Sequence, residues 1–361
     1  MGKMLKMRGV AITGKKQLEI KNDCPLPEEI VPTGAIVRPD IWSVCTSDAH
    51  LYEIGCASHP YLVGKAAGHE MCGTITKVGP EVKDFEVGDR VVVCTKMPNW
   101  RSIEAQQGYY RANVDNMFWG IDWPDRGGSF VEQYYIRDAD MNLAKIPEGV
   151  SFEQAVMIPD MMGTGFQGAE ELDIELGDSV AVFGIGPVGL MALRGAVLKG
   201  AGKVFAIGSR QVCFDVAKEY GATYCIDYHD ENYIEKILEL NGGPVGGVIM
   251  AGGKSSEINK GLRVLRRGGT LVSLAAYLDE QQLHLDMAPW NYGTGGKTIK
   301  AISCAGGRWF LTRMLNLIEL GRVKPEKMIT HRFYGLDSIP EAMELYTNLD
   351  RSLIKAVIYN D

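Results

Sequence analysis

The sequence predicts an α/β protein in two parts, one rich in β-strands and one built on a doubly wound parallel sheet. A chain of 361 residues exceeds what one ordinary hydrophobic core encloses. Before residue 150, short β-branched runs bounded by Gly, Pro or Asp follow one another, which favours an antiparallel, partly barrelled β domain. Between 179 and 274, strand-like and helix-like stretches alternate, as in a parallel sheet with crossover helices. The 43 glycines suit both parts, because tight turns and close backbone approaches need residues without a Cβ.

In the β-rich part, Ala35-Ile-Val-Arg-Pro39, Gly73-Thr-Ile-Thr-Lys-Val78 and Asp89-Arg-Val-Val-Val-Cys94 read as strands. Val78-Gly79-Pro80-Glu81 and Val87-Gly88-Asp89 supply the turn chemistry between the last two. Residues 97–128 break the pattern and gather Trp100, Tyr109, Tyr110, Phe118, Trp119 and Trp123. That stretch is expected to form a long ordered loop or lobe that packs on the core, lines a substrate site, or does both. The alternation then runs strand Ser179-Val-Ala-Val-Phe-Gly184, helix 188–199, strand Lys203-Val-Phe-Ala-Ile-Gly208, helix 211–220. It continues with strand Gly247-Val-Ile-Met-Ala-Gly252, helix 255–267 and strand Gly269-Thr-Leu-Val-Ser-Leu274. Helices at 311–320 and 339–349 and a strand Ile354-Lys-Ala-Val-Ile-Tyr359 close the chain, with no internal repeat.

Composition removes several function classes. Hydrophobic residues at 46% and charged residues at 23% exclude wholesale disorder. A net charge of −7 without a cationic block argues against a nucleic-acid-binding surface as the main function. No apolar run approaches the roughly 20 residues that span a bilayer, so no membrane association is expected. The cationic start, 1–8, lacks the apolar stretch of a secretory signal. Eight irregularly spaced cysteines suit a reduced, cytoplasmic protein better than a disulfide scaffold.

Gly184-Ile-Gly186-Pro187-Val188-Gly189 lies where an expected strand gives way to an expected helix. A dinucleotide pyrophosphate needs that combination: a tight turn, backbone close to the phosphates, and a helix N-terminus offering N–H groups. An NAD site would carry Asp or Glu about 20 residues further on. This chain has Gly208-Ser209-Arg210 instead. With no acid, a small Ser209 and a guanidinium fork in Arg210, the reading favours NADP through its 2′-phosphate. The alternative is that Arg210 caps the next helix or lies in solvent. Tyr228 is counted with these cofactor-binding residues.

Gly68-His69-Glu70 precedes one expected strand, and Cys45 is followed closely by Thr46, Ser47, Asp48 and His50. Neither group implies a metal by itself, and Cys45 and His69 stand much further apart than zinc-finger ligands. Longer strings carry more. Gly68-His-Glu-Met-Cys-Gly73, continuing through Val78-Gly79 to Val87-Gly-Asp-Arg-Val91, together with the glycine fingerprint, resembles the zinc-dependent medium-chain alcohol dehydrogenases over nearly the whole chain. Cys45-Thr-Ser-Asp48, Asp138-Ala-Asp-Met-Asn-Leu-Ala144, Val156-Met-Ile-Pro-Asp-Met-Met162, Gly184-Ile-Gly-Pro-Val-Gly-Leu-Met191 and Gly208-Ser-Arg210 resemble the microbial NADP-dependent secondary alcohol dehydrogenases of that family.

The resemblance implies a GroES-like catalytic domain in two pieces, 1–163 and 305–361, around a Rossmann NADP-binding domain at 164–304. It implies a catalytic zinc on Cys45, His69 and Asp160, with Glu70 as a fourth ligand that swings onto or off the metal. Three protein ligands would leave one tetrahedral position for water or substrate, and their summed charge would keep the metal a Lewis acid. The plainer alternative for Asp160 is a helix N-cap ahead of 161–165. Of the four cysteines that hold a second, structural zinc in many members, only Cys94 falls in the corresponding lobe, so one zinc per chain is expected. Cys24, Cys56, Cys72, Cys213, Cys225 and Cys304 are then core or surface residues.

By the same resemblance, hydride passes between a secondary alcohol and nicotinamide C4. Ser47 would hydrogen-bond the alcohol oxygen, and His50 would end a proton relay, unless it is a plain surface histidine. Related enzymes close an apolar pocket with a lobe tryptophan; Trp119-Gly120 falls only near that place, so the closure is expected to be shifted or lost. Lys96 and Ser303 stand where apolar residues are usual, which points to a bulkier or more oxygenated substrate, such as a hydroxysteroid or polyol. A homotetramer or dimer is expected. The rival readings are a zinc-free quinone- or enoyl-type reductase of the same architecture and a non-catalytic nucleotide-binding protein.

Overall fold

The structure is a computed structural model that describes residues 4–108, 127–277 and 280–360. Its internal contacts divide the chain into two compact units, Met1–Gly163 with Cys304–Asp361, and Thr164–Ser303. Cys304 groups with the first unit, one residue earlier than the boundary read from the sequence, and its neighbours there include Gly163. No helix among the described residues is long and apolar enough to cross a membrane.

The first unit is mixed β. An antiparallel ribbon of Met4–Gly14 and Gln17–Pro27 precedes a seven-stranded sheet. The sheet runs Ile329–Tyr334, Lys355–Tyr359, Ala35–Ser43, Glu70–Val78, Arg90–Val93 and Leu143–Lys145, with Tyr134–Ile136 also pairing Ala35–Ser43. Only its first pair is parallel. Ala35–Ser43 is central and buried along most of its length, consistent with its apolar run around Ile41 and Trp42. The Trp42 indole, fully buried, donates to the Ser129 carbonyl at 2.8 Å, so its one polar atom is satisfied. Lys355–Tyr359 returns from the far end of the chain to lie beside Ala35–Ser43, with Val357 opposite Ser43, and Ser43 is opposite Glu70. Residues 45, 70 and 355 therefore meet at one end of this sheet although the sequence scatters them.

Asp160 does not cap a helix. It sits inside a π-helical turn, Ile158–Met162, whose N-cap position is Met157. Such a turn inserts an extra residue into the helical ladder and re-aims a side chain, a frequent arrangement at functional sites.

The second unit has six parallel strands in the order Tyr224–Asp227, Lys203–Gly208, Ser179–Phe183, Val245–Met250, Leu265–Ser273 and Thr298–Ala301. By position in the unit this order is 3-2-1-4-5-6, that of doubly wound dinucleotide-binding sheets. Ala181, Phe205, Val248, Met250 and Leu271 form the centre of its core. The expected helix at 255–267 is shorter than its pattern suggested. Ser255–Glu257 is a 3₁₀ turn, Ile258–Val264 is α-helical, and Leu265 already belongs to the next strand, paired with Val245. Leu262 and Leu265 are three apart and both buried, so a helical spacing masked the change of element.

The first ribbon and the strands Tyr224–Asp227 and Thr298–Ala301 were not read from the sequence. The last two are edge strands of four residues with half-exposed faces, which leave little periodic signal. Tyr109, Tyr110, Phe118, Trp119 and Trp123 of the expected lobe lie outside the described residues, and with them the expectation about pocket closure. Trp100, at the start of that stretch, packs on the first unit, and its indole donates to Asn142 Oδ1 at 3.2 Å.

Candidate metal and dinucleotide sites

Cys45 ends the loop after Ala35–Ser43 and occupies the N-cap position of the helix Thr46–Ile54. His69 and Glu70 enter the strand Glu70–Val78, and Asp160 is presented by the π-helical turn. These four side chains each bring one ligand atom to a common point, all within 4.8 Å of one another. Cys45 Sγ lies 3.3 Å from Asp160 Oδ2, which is 3.5 Å from His69 Nε2, and His69 Nε2 is 3.9 Å from Glu70 Oε1. All four residues belong to the first unit.

The donor set fits a zinc ion. A thiol, an imidazole nitrogen and carboxylate oxygens are the ligand types zinc takes, and three of them can hold it with a position to spare. The charges agree. Burial pushes the Cys45 thiol up to about 11, with Asp160 and Glu70 adding to the rise. Burial likewise raises the Glu70 carboxyl to about 7, opposed by Lys355 and reinforced by Asp160. Three acidic groups held this close in a buried place repel one another, and a divalent cation among them reverses that penalty.

Residues outside the ligand set hold it in place. Asp48 is buried on the same helix; one carboxylate oxygen accepts from Cys45 N at 3.1 Å, and the other faces His69 Nδ1 at 3.1 Å. That contact assigns the proton to Nδ1 and leaves Nε2 turned toward the cluster. Thr95 Oγ1 donates to the His69 carbonyl at 2.9 Å. Lys355, almost wholly buried, places Nζ 3.0 Å from Glu70 Oε1 and 2.7 Å from Oε2. Burial disfavours its charge, but the facing Glu70 carboxylate more than offsets this and raises its pKa. Tyr346 is also buried and its hydroxyl, pushed up to about 12 by that burial, accepts from Ala356 N.

Asp48 and Lys355 were not identified from the sequence. Asp48 carried a weak signal, since an acid three residues after a helix cap reaches back to the cap's N–H. Lys355 carried none, because only the return of the last strand brings it near Glu70. Ser47 and His50 stand on the first turns of Thr46–Ile54, three residues apart and so on neighbouring positions of one face. Ser47 is partly buried and His50 exposed.

The second unit carries the residues expected to bind the dinucleotide. Ser179–Phe183 leads into Gly184, whose φ is +84°, and the helix Pro187–Leu198 starts with Gly186 at its N-cap. A Cβ on Gly189 would fall 1.9 Å from the Gly184 carbonyl oxygen, so helix and turn approach closer than any side chain permits. Gly208 ends Lys203–Gly208, and Ser209 and Arg210 follow. Arg210 occupies the N-cap position of Gln211–Glu219, but its side chain makes no cap bond. Its guanidinium instead reaches to 3.7 Å from where a Gly186 Cβ would stand, at the open mouth of the glycine turn. Ser209 Oγ donates to the Tyr228 hydroxyl at 3.2 Å, which brings Tyr228 into the same group. The glycine-turn residues and the 208–210 segment are thus gathered at the C-terminal ends of the parallel strands, where ligands of such sheets bind.

Two family models match the chain, the second running across the unit boundary at 303/304. A family model described as an alcohol dehydrogenase GroES-like domain matches residues 31–148, and one described as a zinc-binding dehydrogenase matches 187–319. The NADP-dependent isopropanol dehydrogenase of Thermoanaerobacter brockii is 42% identical over 341 residues, covering 94% of this chain and 95% of that protein. The protein of the same description from Clostridium beijerinckii is 39% identical, covering 98% and 99%. Among solved structures, the alcohol dehydrogenase TADH from Thermus sp. ATN1 superposes with a TM-score of 0.87 at 27% identity, over 98% of this chain and 100% of that one.

Proposed function

The chain belongs to the zinc-binding alcohol dehydrogenase family, and from that premise we propose that it interconverts a secondary alcohol and a ketone with NADP(H), using one zinc ion per chain. The observation that supports this most is the convergence of Cys45, His69, Glu70 and Asp160 within 4.8 Å. Cys45, His69 and Asp160 hold the ion, while Glu70 stays tied to Lys355 and is available as a fourth ligand. When bound, zinc supplies a Lewis acid for the alcohol oxygen and the nicotinamide supplies the hydride acceptor. Ser47 hydrogen-bonds the alcohol oxygen, and His50, exposed on the same helix, is the far end of a proton relay to solvent that runs through the ribose. Asp48 keeps His69 in the tautomer that leaves Nε2 for the metal. Gly184, Gly186, Pro187, Val188 and Gly189 cradle the pyrophosphate, and Gly208, Ser209, Arg210 and Tyr228 take the 2′-phosphate.

Within that substrate class, the isopropanol-named relatives support a short alcohol, whereas Lys96 and Ser303 support a bulkier or more oxygenated one, such as a hydroxysteroid or polyol. Rates on 2-propanol and on a sterol side-chain alcohol separate the two, and a strong preference for 2-propanol rejects the bulky substrate. The same reading carries a cytoplasmic homotetramer or dimer, to be measured by light scattering.

The central test is a screen of alcohols and ketones followed by NADPH absorbance, with metal content measured on the same sample. The expected result is one zinc per chain and turnover that Cys45→Ser abolishes while NADPH binding persists. Full turnover after complete zinc removal would favour the zinc-free reductase, and no turnover with any alcohol or ketone would favour a nucleotide-binding protein without catalysis.

A further inference from the structure

A carboxylate–imidazole pair beside the Ser209–Tyr228 group has no task in the reading above. Tyr224–Asp227 runs parallel to Lys203–Gly208, and Asp227 is in register with Gly208. An NAD-type site keeps its acid at the end of the strand that here ends in Gly208. This chain has no acid there, but it has one a single strand away. Asp227 Oδ1 accepts from His229 N at 2.9 Å and faces His229 Nδ1 at 2.7 Å. With that partner the proton sits on Nδ1 whether the ring is neutral or charged. The His229 ring also lies against Tyr228, with centroids 4.4 Å apart, and the Tyr228 hydroxyl accepts from Ser209 Oγ. The remaining charges of this turn are Asp230, which pairs with Lys236 at 3.7 Å, and Glu231.

We propose that His229 is a specificity-determining residue for the dinucleotide: by holding the Asp227 carboxylate it keeps that negative charge from opposing a 2′-phosphate. The inference rests on the reading of Ser209, Arg210 and Tyr228 as the 2′-phosphate group. A carboxylate at the end of a neighbouring strand repels a phosphate, and a fixed hydrogen bond from an imidazole disperses its charge and fixes where its oxygens point. NADH has no 2′-phosphate and does not sense the difference. Asp227 and His229 are 48% and 62% exposed, so solvent and salt limit the effect.

The test is fluorescence titration of the zinc-loaded protein with NADPH and with NADH at low ionic strength, on wild type, His229→Ala, and the double variant Asp227→Asn with His229→Ala. His229→Ala is expected to weaken NADPH about three- to fivefold and leave NADH within about twofold. In the double variant, with no charge left to cover, NADPH binding is expected to return to the wild-type value. If His229 only supported the Tyr228 ring, the double variant would stay as weak as the single one, and that result overturns the proposal. Arg210→Ala is run beside them. Selective loss of NADPH in Arg210→Ala with no change in His229→Ala overturns the role of His229 alone; equal loss of NADPH and NADH in Arg210→Ala overturns the pocket reading and the proposal with it.

Discussion

The two candidate sites are built on opposite physical plans. The candidate metal cluster is largely buried and concentrates charge: a thiol, two carboxylates, an imidazole and a lysine, drawn from positions 45, 69, 70, 160 and 355. The dinucleotide cradle is mainly backbone, lies at the mouth of a parallel sheet, and uses runs at 184–189 and 208–210 with Tyr228 added. In the first, each group is held by another and the low local dielectric magnifies every removal. In the second, shape does most of the work and the charged contacts are partly screened. Substitutions should therefore be severe and coupled in one site, and graded and separable in the other.

The largest expected effect is at the cluster. His69→Ala or Cys45→Ser should lower turnover by about 10³-fold or more and release zinc, as metal analysis of the purified variant would show. A variant that keeps both metal and rate would break the comparison at its strongest point. Next is Lys355→Ala, which strands the Glu70 carboxylate among buried neighbours. Breaking such a pair costs about 3–5 kcal/mol, to be read from denaturant unfolding. Glu70→Gln added to Lys355→Ala should recover a good part of that loss, since no buried charge is then left alone; a double variant as unstable as the single one would refute the coupling.

The cradle should respond by shape. Gly189→Ala forces a Cβ against the Gly184 carbonyl and should cost about 1–3 kcal/mol, weakening NADH and NADPH alike. Arg210→Ala should instead weaken NADPH alone, by about 1.5–3 kcal/mol of lost charge-assisted pairing, or at least about tenfold in Kd. The contrast between a common loss and a selective one is measured in paired titrations with the two cofactors.

The smallest effect sharpens the comparison within the first unit. Arg332 Nε donates to Glu153 at 2.7 Å, and Tyr359 donates to the same carboxylate; together they hold Glu153 below the ordinary carboxylate range, with Arg332 the larger cause. Because the folded-state pKa is depressed, this stabilisation is complete at neutral pH and is lost as pH falls through the folded value. The Glu153 side chain is 24% exposed and that of Arg332 43%, so solvent screens the pair and Glu153→Gln should cost only about 0.5–1 kcal/mol at pH 7 and nearly nothing in strong acid. An equal cost at both pH values would mean that packing, not charge, sets it.

How much of this was legible follows from the range of each interaction. The alternation around Ser179–Phe183, Lys203–Gly208 and Val245–Met250 was readable because buried parallel strands are short apolar runs bounded by glycine. The glycine turn was readable because its function lies in consecutive residues. The ligand set was reached through resemblance, since Cys45, His69 and Asp160 show no shared spacing. The helix at 255–267 was read too long because Leu262 and Leu265 keep a helical interval across a change of element. For Asp160, expected as a metal ligand with a helix cap as the plainer alternative, that alternative fails: the residue lies in a π-helical turn, a distinction in hydrogen-bond register that no side-chain pattern records.

The order of residues alone determined the strand–helix rhythm of the second unit, the glycine-rich turn and the absence of an acid beside Ser209, because each depends on neighbours in the chain. Tertiary structure decided which side chains share charge. The last strand lies beside Ala35–Ser43 and so delivers Lys355 to Glu70, and the helix cap turns Asp48 onto His69. Those encounters are set by sheet pairing and close packing across hundreds of residues, and electrostatics acts on distance through space rather than on distance along the chain.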